Sequence, residues 1–429
     1  MRRPIRAVPL VLLIVSVVAL LSTRGGESVP LYAARTGLLC QNCHFDPNGG
    51  GPRNEFGFAF AKNRHSLDAD TSGMWKDLSL VNRVGDNFPL YLGLNQRFML
   101  IANTTVKSDS LDRAGFFDME NAFYLTFVPH ARLSLVYSRD GFDAGSSTKD
   151  AFGLISGFPL NGYLKAGRFR TPFGLRQDDH TVATRNGYLD FFFPSAPFNY
   201  SGSVDSLRSS FLPYDPRQPD MGLEYGAEWR SFFARASWTD GDSHPLYGPS
   251  FYAGAKTLKL GYNNAWSQSG VSIYDDFRRL PPSGGVTEVQ RATRWGYYGI
   301  AHRRNVALLG EIGAGTDELT PPTGKATGPK QNSLAWYAET DYWPWKQANF
   351  RARYDYMSLD RGAADPYIRD LNTHTRYALE ADWVPVPFAE LRFAMRWIHH
   401  DADRFRNYFG SAVAIKDETQ SFLQFHFSY

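Results

Sequence analysis

The residues best placed to do chemistry in this sequence are Cys40-Gln41-Asn42-Cys43-His44. They include the only two cysteines of the 429-residue chain. Two thiols separated by two residues can both add to the vinyl groups of one porphyrin ring. An adjacent histidine then falls under the iron, so C-x-x-C-H is the attachment signature of a c-type haem. Three rival chemistries fit the pair less well. A thioredoxin-like redox pair needs a surrounding βαβ pattern, which is missing, and leaves His44 without a role. A lipid-modified cysteine is disfavoured by the bulky Leu39 before Cys40. A zinc site needs further ligands close by in sequence. Cys40 and Cys43 are therefore assigned to thioether links of one covalent haem c, and His44 to the proximal iron position.

The sixth iron position is open to several residues. His65 follows a segment whose spacing predicts a short helix over Glu55–Arg64, from which it could fold back over the ring. Met74 comes soon after. Met99 lies on the first expected strand, on the same face as Asn95 and Arg97. Each is a candidate distal ligand, and each has the alternative of being an ordinary packing or surface residue.

Haem attachment of this type occurs outside the bacterial cytoplasm, so the chain needs an export signal. Arg2, Arg3 and Arg6 form a basic start, and Ala7 to Leu21 form an apolar run too short for a membrane span. Residues 1–28 are expected to be a signal peptide. They hold four arginines (Arg2, Arg3, Arg6, Arg24) and one glutamate (Glu27), so their removal takes the formal net charge from +3 to zero. Nothing remains of a concentrated basic face, and nucleic acid is not an expected partner.

Beyond Leu90 the chain breaks into strand-length pieces with period-two alternation. Leu423, Phe425, Phe427 and Tyr429 alternate with Gln424, His426 and Ser428; Leu391, Phe393, Met395 and Trp397 alternate with Arg392, Ala394 and Arg396. A soluble sandwich alternates too. Here the apolar faces are edged by aromatic residues, which make up 15% of the chain, and the opposite faces carry Arg and Glu. That pattern suits strands with lipid on one side and water on the other. Open edges cannot face hydrocarbon, so such strands must close into a barrel. The expected fold is all-β, a transmembrane antiparallel outer-membrane β-barrel of about sixteen strands with a small N-terminal haem segment. Turns such as Val128-Pro129-His130 and Val384-Pro385-Val386-Pro387 belong to the periplasmic side. The stretches Asn199–Met221, Arg279–Val289, Asp317–Gln331 and Ser358–Thr373 belong to external loops. Asp118, Glu120, Glu224 and Glu228 are assigned to the lumen face, paired with lumen cations. The expected organisation is a signal peptide over 1–28, a monohaem cytochrome c segment over 29–80 acting as a lumen plug, and a porin-like barrel over 81–429. The haem segment is too short to bury a large core of its own.

The stretch Pro30-Leu31-Tyr32-Ala33-Ala34-Arg35-Thr36-Gly37-Leu38-Leu39-Cys40 resembles the run before the haem cysteines in the fused cytochrome–porin family of outer-membrane iron-oxidising cytochromes. Phe56-Gly57-Phe58-Ala59-Phe60 is similar to that family's Gly-x-x-Phe after the motif. Gly167-Arg168-Phe169-Arg170-Thr171-Pro172-Phe173-Gly174 and the aromatic ending at Tyr429 resemble porin signals. The specific likeness covers about forty residues. It implies oxidation of extracellular Fe(II), with electrons passed to a periplasmic carrier such as a soluble cytochrome, in a protein embedded in outer-membrane lipid. Cys40, Cys43 and His44 carry over; no iron-binding residue does. The alternatives are a solute or ion porin with a haem-bearing plug, and the barrel of an outward electron conduit.

Overall fold

The computed structural model describes residues 32, 36, 38, 40–67, 81–85, 89–105, 113–141, 147–175, 181–185, 219–241, 254–264, 266–277, 289–319, 330–360, 373–400, 405–406, 412–413 and 418–429. The expected signal peptide and Met74 lie outside them.

Two short helices come first, α1 (Cys40–Cys43) and α2 (Glu55–Lys62). Sixteen long strands follow: β1 (Leu90–Thr105), β2 (Arg113–His130), β3 (Leu133–Asp140), β4 (Ser147–Phe158), β5 (Gly162–Phe169), β6 (Asp220–Trp229), β7 (Phe232–Thr239), β8 (Ala255–Asn263), β9 (Ser267–Phe277), β10 (Val289–Arg303), β11 (Val306–Leu319), β12 (Lys330–Trp345), β13 (Ala348–Asp360), β14 (Thr373–Val386), β15 (Ala389–His400) and β16 (Glu418–Ser428). Each pairs antiparallel with the next, and β16 pairs back onto β1 from Glu418↔Thr105 to Ser428↔Asn95. Closure leaves the sheet without an edge, which is what hydrocarbon demands of a backbone.

The faces are reversed relative to a water-soluble barrel. On β14 the outward Tyr377, Leu379 and Trp383 are exposed, while the inward Arg376, Glu380 and Asp382 are buried. Outward aromatic residues gather near the short turns (Trp229, Phe232, Trp345, Trp383) and again nearer the opposite end (Trp238, Tyr377, Trp397). Apolar surface in that arrangement is stable only against lipid, with the ring systems at the two interfaces. Leu379→Arg, at the middle of β14, is accordingly expected to cost about 2–4 kcal/mol of folding stability in vesicles. A denaturant titration of refolding into lipid measures this.

Both ends of the barrel sequence, Leu90 and Tyr429, lie at the end with the tight turns. One of these joins β4 to β5 through Leu160 (φ 60°) and Asn161 (φ 49°), a primed turn that matches strand twist. Connections at the far end are longer, as for external loops.

One lumen assignment is corrected by register. The β1–β2 ladder shifts between Arg97 and Phe98, whose partners are Glu120 and Asp118. Met119 is the extra residue of a β-bulge. Past it, the face of each residue is exchanged. Glu120 stays inside against Arg97, whereas Asp118 is exposed opposite the outward Phe98.

Candidate functional site

The C-x-x-C-H residues lie on a single turn of helix. Cys40 and Cys43 are three apart, so they share a face. The two thiols are not joined in a disulfide, and both residues are half-buried. The His44 amide donates to the Cys40 carbonyl at 2.9 Å, which carries the imidazole onto the same turn. Burial pushes the Cys43 thiol up against the pull of Arg53. The thiol therefore stays protonated at neutral pH and forms a disulfide slowly. This donor set suits the covalent haem expected from the motif.

α2 supports α1 from behind. It starts on an Asn54 cap, whose Oδ1 accepts from the Gly57 amide at 2.9 Å, and the Asn54 amide donates to the Cys43 carbonyl at 3.0 Å. Gly57 is required here, because a Cβ at that position would lie 2.0 Å from the Cys43 carbonyl oxygen. The other side of α2 is apolar: Phe58 and Ala61 pack against Phe388 in the β14–β15 turn and against Phe427 and Tyr429.

The described residues of this segment lie against the inward face of the wall. Asp46 accepts from Lys165 Nζ on β5 at 2.9 Å. The Asn48 amide donates to Glu224 on β6 at 2.9 Å, and Asn48 Oδ1 accepts from Arg235 on β7 at 2.7 Å. Gln41 donates to Glu228 at 3.0 Å. On the far side of the lumen Arg53 donates to the Ser428 carbonyl at 2.6 Å, and Tyr32 Oη donates to Glu390 Oε2 at 2.8 Å. Burial and the Glu390 carboxylate both push the Tyr32 phenol up, so it remains a donor. Lys165 and Glu224 are fully buried and 3.4 Å apart. Charges so deep are tolerable only when paired and bonded. The lumen carboxylates Glu120, Glu224 and Glu228 all meet cations, from Arg97 and Lys149, from Lys165, and from Arg235.

The distal-ligand candidates separate. His65 is buried on the lumen segment, its ring 4.1 Å from that of Tyr32 and 5.7 Å from that of Phe60. Met99 belongs to the wall, packed with Ala394 and Phe422. Sequence reading did not find Asp46, Asn48, Lys165, Arg235 or the Tyr32–Glu390 bond. Lys165, at an interior position of a strand that otherwise reads Gly-Tyr-Leu-x-Ala-Gly, was the one local hint of a wet face.

A second piece of chain also enters the lumen. After β5, Gly174 (φ 65°) donates its amide to Ser272 at 3.0 Å, and Leu175 donates to Glu311 at 3.1 Å. Arg185 bonds Glu311 at 2.9 Å, the Ala183 amide bonds Asp355 at 3.0 Å, and Arg353 and Arg376 donate to the Thr181 carbonyl. Beneath it, Arg351, Arg353, Arg392 and Arg396 interleave with Glu339, Asp341, Glu380 and Asp382 across β12 to β15. Among the described residues, no group of three or more His, Cys, Asp or Glu side chains is arranged to hold a metal ion.

No family model matches the chain, and no curated protein matches it. Many solved structures share its fold. The outer membrane channel DcaP of Acinetobacter baumannii superposes with a TM-score of 0.54 at 10% identity, covering 81% of this chain and 99% of that one. OmpF of Salmonella typhi, in complex with daunomycin, gives 0.52 at 10% identity, covering 80% and 98%. OmpT of Vibrio cholerae gives 0.50 at 12% identity, covering 81% and 99%. At such identities the likeness is one of fold, and in fold this chain is a closed sixteen-stranded antiparallel barrel of the outer-membrane porin type.

Proposed function

We propose that this chain is an outer-membrane electron-transfer barrel, carrying electrons through its lumen between an extracellular donor, Fe(II), and a soluble periplasmic carrier. The observation that carries this reading is the position of Cys40, Cys43 and His44: they sit on a segment bonded to opposite walls of a membrane-spanning cylinder. Cys40 and Cys43 would hold a haem c by two thioether bonds, with His44 at its proximal side. When bound, that group supplies a one-electron couple at iron. The protein's own residues do the rest. Asp46 and Asn48 lock the segment to β5, β6 and β7, Arg53 and Tyr32 lock it to β15 and β16, and Phe58 packs against Phe388 and Tyr429 at the tight-turn mouth. A lipid bilayer insulates the two compartments, and a redox centre fixed within the barrel shortens the distance an electron must cross.

The test is spectroscopic. Anaerobic Fe(II) added to the matured, oxidised protein is expected to convert its visible spectrum to the reduced form within seconds. A haem spectrum that ignores Fe(II) overturns the donor assignment.

A second reading is favoured by the comparisons taken alone, since DcaP is an outer membrane channel. In it the barrel passes solutes and the N-terminal segment acts as a gate. Steady ion conductance in planar bilayers, together with no redox response to Fe(II), supports that reading against the first.

A further inference from the structure

The tight-turn end of the barrel has a charge pattern that neither reading uses. Its turns contain Arg132, Arg230, Arg304 and Lys346, and no Asp or Glu. Arg303 extends the series at the end of β10. The long connections at the other end carry acids and bases in nearly equal number. Arg132, Arg230, Arg303 and Arg304 are exposed, and among the described residues no carboxylate pairs with them. Inside this ring lie the described residues of the lumen segment, and exposed apolar side chains flank the exposed Glu55–Arg83 ion pair at its mouth. Phe56 is 46% exposed, Val81 67% and Val84 49%. These residues are fixed in place: Arg83 bonds Glu55 at 3.0 Å beside Phe56, the Val81 carbonyl accepts from Tyr429 Oη at 2.7 Å, and Val84 pairs with Leu90.

We propose that this end is a docking face for an acidic soluble redox protein of the periplasm, seated on Phe56 and Val81 and steered by the surrounding arginines. The inference rests on the electron-transfer reading, and it names the surface through which electrons leave or enter on that side. An apolar centre inside a charged rim is the anatomy of a transient protein interface. The single sign of the turn residues selects the complementary partner and speeds its encounter. Lipid headgroups could also attract the arginines. They do not explain Phe56, which stands on α2 of the lumen segment, inside the ring of strands; Val84, by contrast, pairs with Leu90 in the wall and shares its outward face.

The experiment uses the full matured chain in nanodiscs of zwitterionic lipid. Cytochrome b5 serves as an acidic redox probe and cytochrome c as a basic one of similar size. Binding is read by surface plasmon resonance, which does not depend on the haem. The wild type is expected to bind cytochrome b5 at low salt, and to lose it at high salt where the Debye length falls to about 3 Å. The triple variant Arg132→Glu/Arg230→Glu/Arg304→Glu is expected to weaken that binding by roughly 10- to 100-fold, and to gain affinity for cytochrome c. Phe56→Ser is expected to weaken cytochrome b5 binding with its salt dependence unchanged. Equal binding of the two probes by the wild type, or indifference to the charge reversals, overturns the proposal. So does a triple variant that changes only retention in anionic vesicles, which would assign the arginines to headgroups. Failure of the underlying reading looks different: a protein without a haem spectrum that still binds cytochrome b5 retains the surface and loses the electron path.

Discussion

Cys40→Ala/Cys43→Ala is expected to abolish covalent pigment completely while leaving a folded, heat-modifiable barrel. The two thiols are the only cysteines in the chain, so no other residue can form a thioether. The barrel is held by continuous ladders from β1 round to β16, none of which includes residues 40–44. Loss of haem and loss of fold should therefore come apart. Haem staining after denaturing electrophoresis reads the first, and the mobility shift between unheated and boiled samples reads the second. The single variants are expected to keep at most one thioether. His44→Ala is expected to keep the attachment sites and alter the visible spectrum, because it removes the proximal nitrogen and neither sulfur. A double variant that retained covalent pigment would remove the basis of the electron-transfer reading.

The second large effect is expected at Lys165→Met. The Lys165 ammonium is fully buried, bonded to Asp46 at 2.9 Å and 3.4 Å from Glu224, with the rings of Phe152 and Phe169 at 5.1 and 4.8 Å. Among the described residues, it is the cation that pairs with both Asp46 of the lumen segment and Glu224 of the wall. Methionine matches its length and leaves the two carboxylates in the interior without their cation. Breaking a buried pair by removing one partner costs about 3–5 kcal/mol. The cost falls on the docked state of the segment, since the β5–β6 ladder itself is made by the backbone. Protease cleavage within residues 40–67 is expected to accelerate, and bilayer recordings are expected to show openings absent from the wild type. Adding Glu224→Gln is expected to recover much of the loss, because it removes one of the two stranded charges. A double variant no better than the single would mean that Lys165 acts through packing alone.

Period-two alternation is a local property, and it carried most of the fold. On β15 it told inside from outside residue by residue, with Arg392 and Arg396 inward and Phe393 and Trp397 outward. It failed at Asp118, where the bulge at Met119 exchanged the faces. An inserted residue leaves no mark on composition and shows itself only through the partner strand. The C-x-x-C-H spacing also placed Cys40, Cys43 and His44 on one turn, because that follows from spacing within five residues.

What the sequence by itself determined is therefore the strand pattern, the need for closure in lipid, and the presence of two thiols and an imidazole on one turn. Only the tertiary structure decided where that turn sits, and which wall residues hold it: Asp46 with Lys165, Asn48 with Glu224 and Arg235, Tyr32 with Glu390. It also decided that residues 171–175 and 181–185 enter the lumen, and that the cations of the short turns surround a lumen segment with Phe56 exposed. The physical reason is range. Alternation and motif spacing are set by neighbours along the chain, whereas a buried ion pair joins residues more than a hundred positions apart and exists only once the cylinder has closed around them.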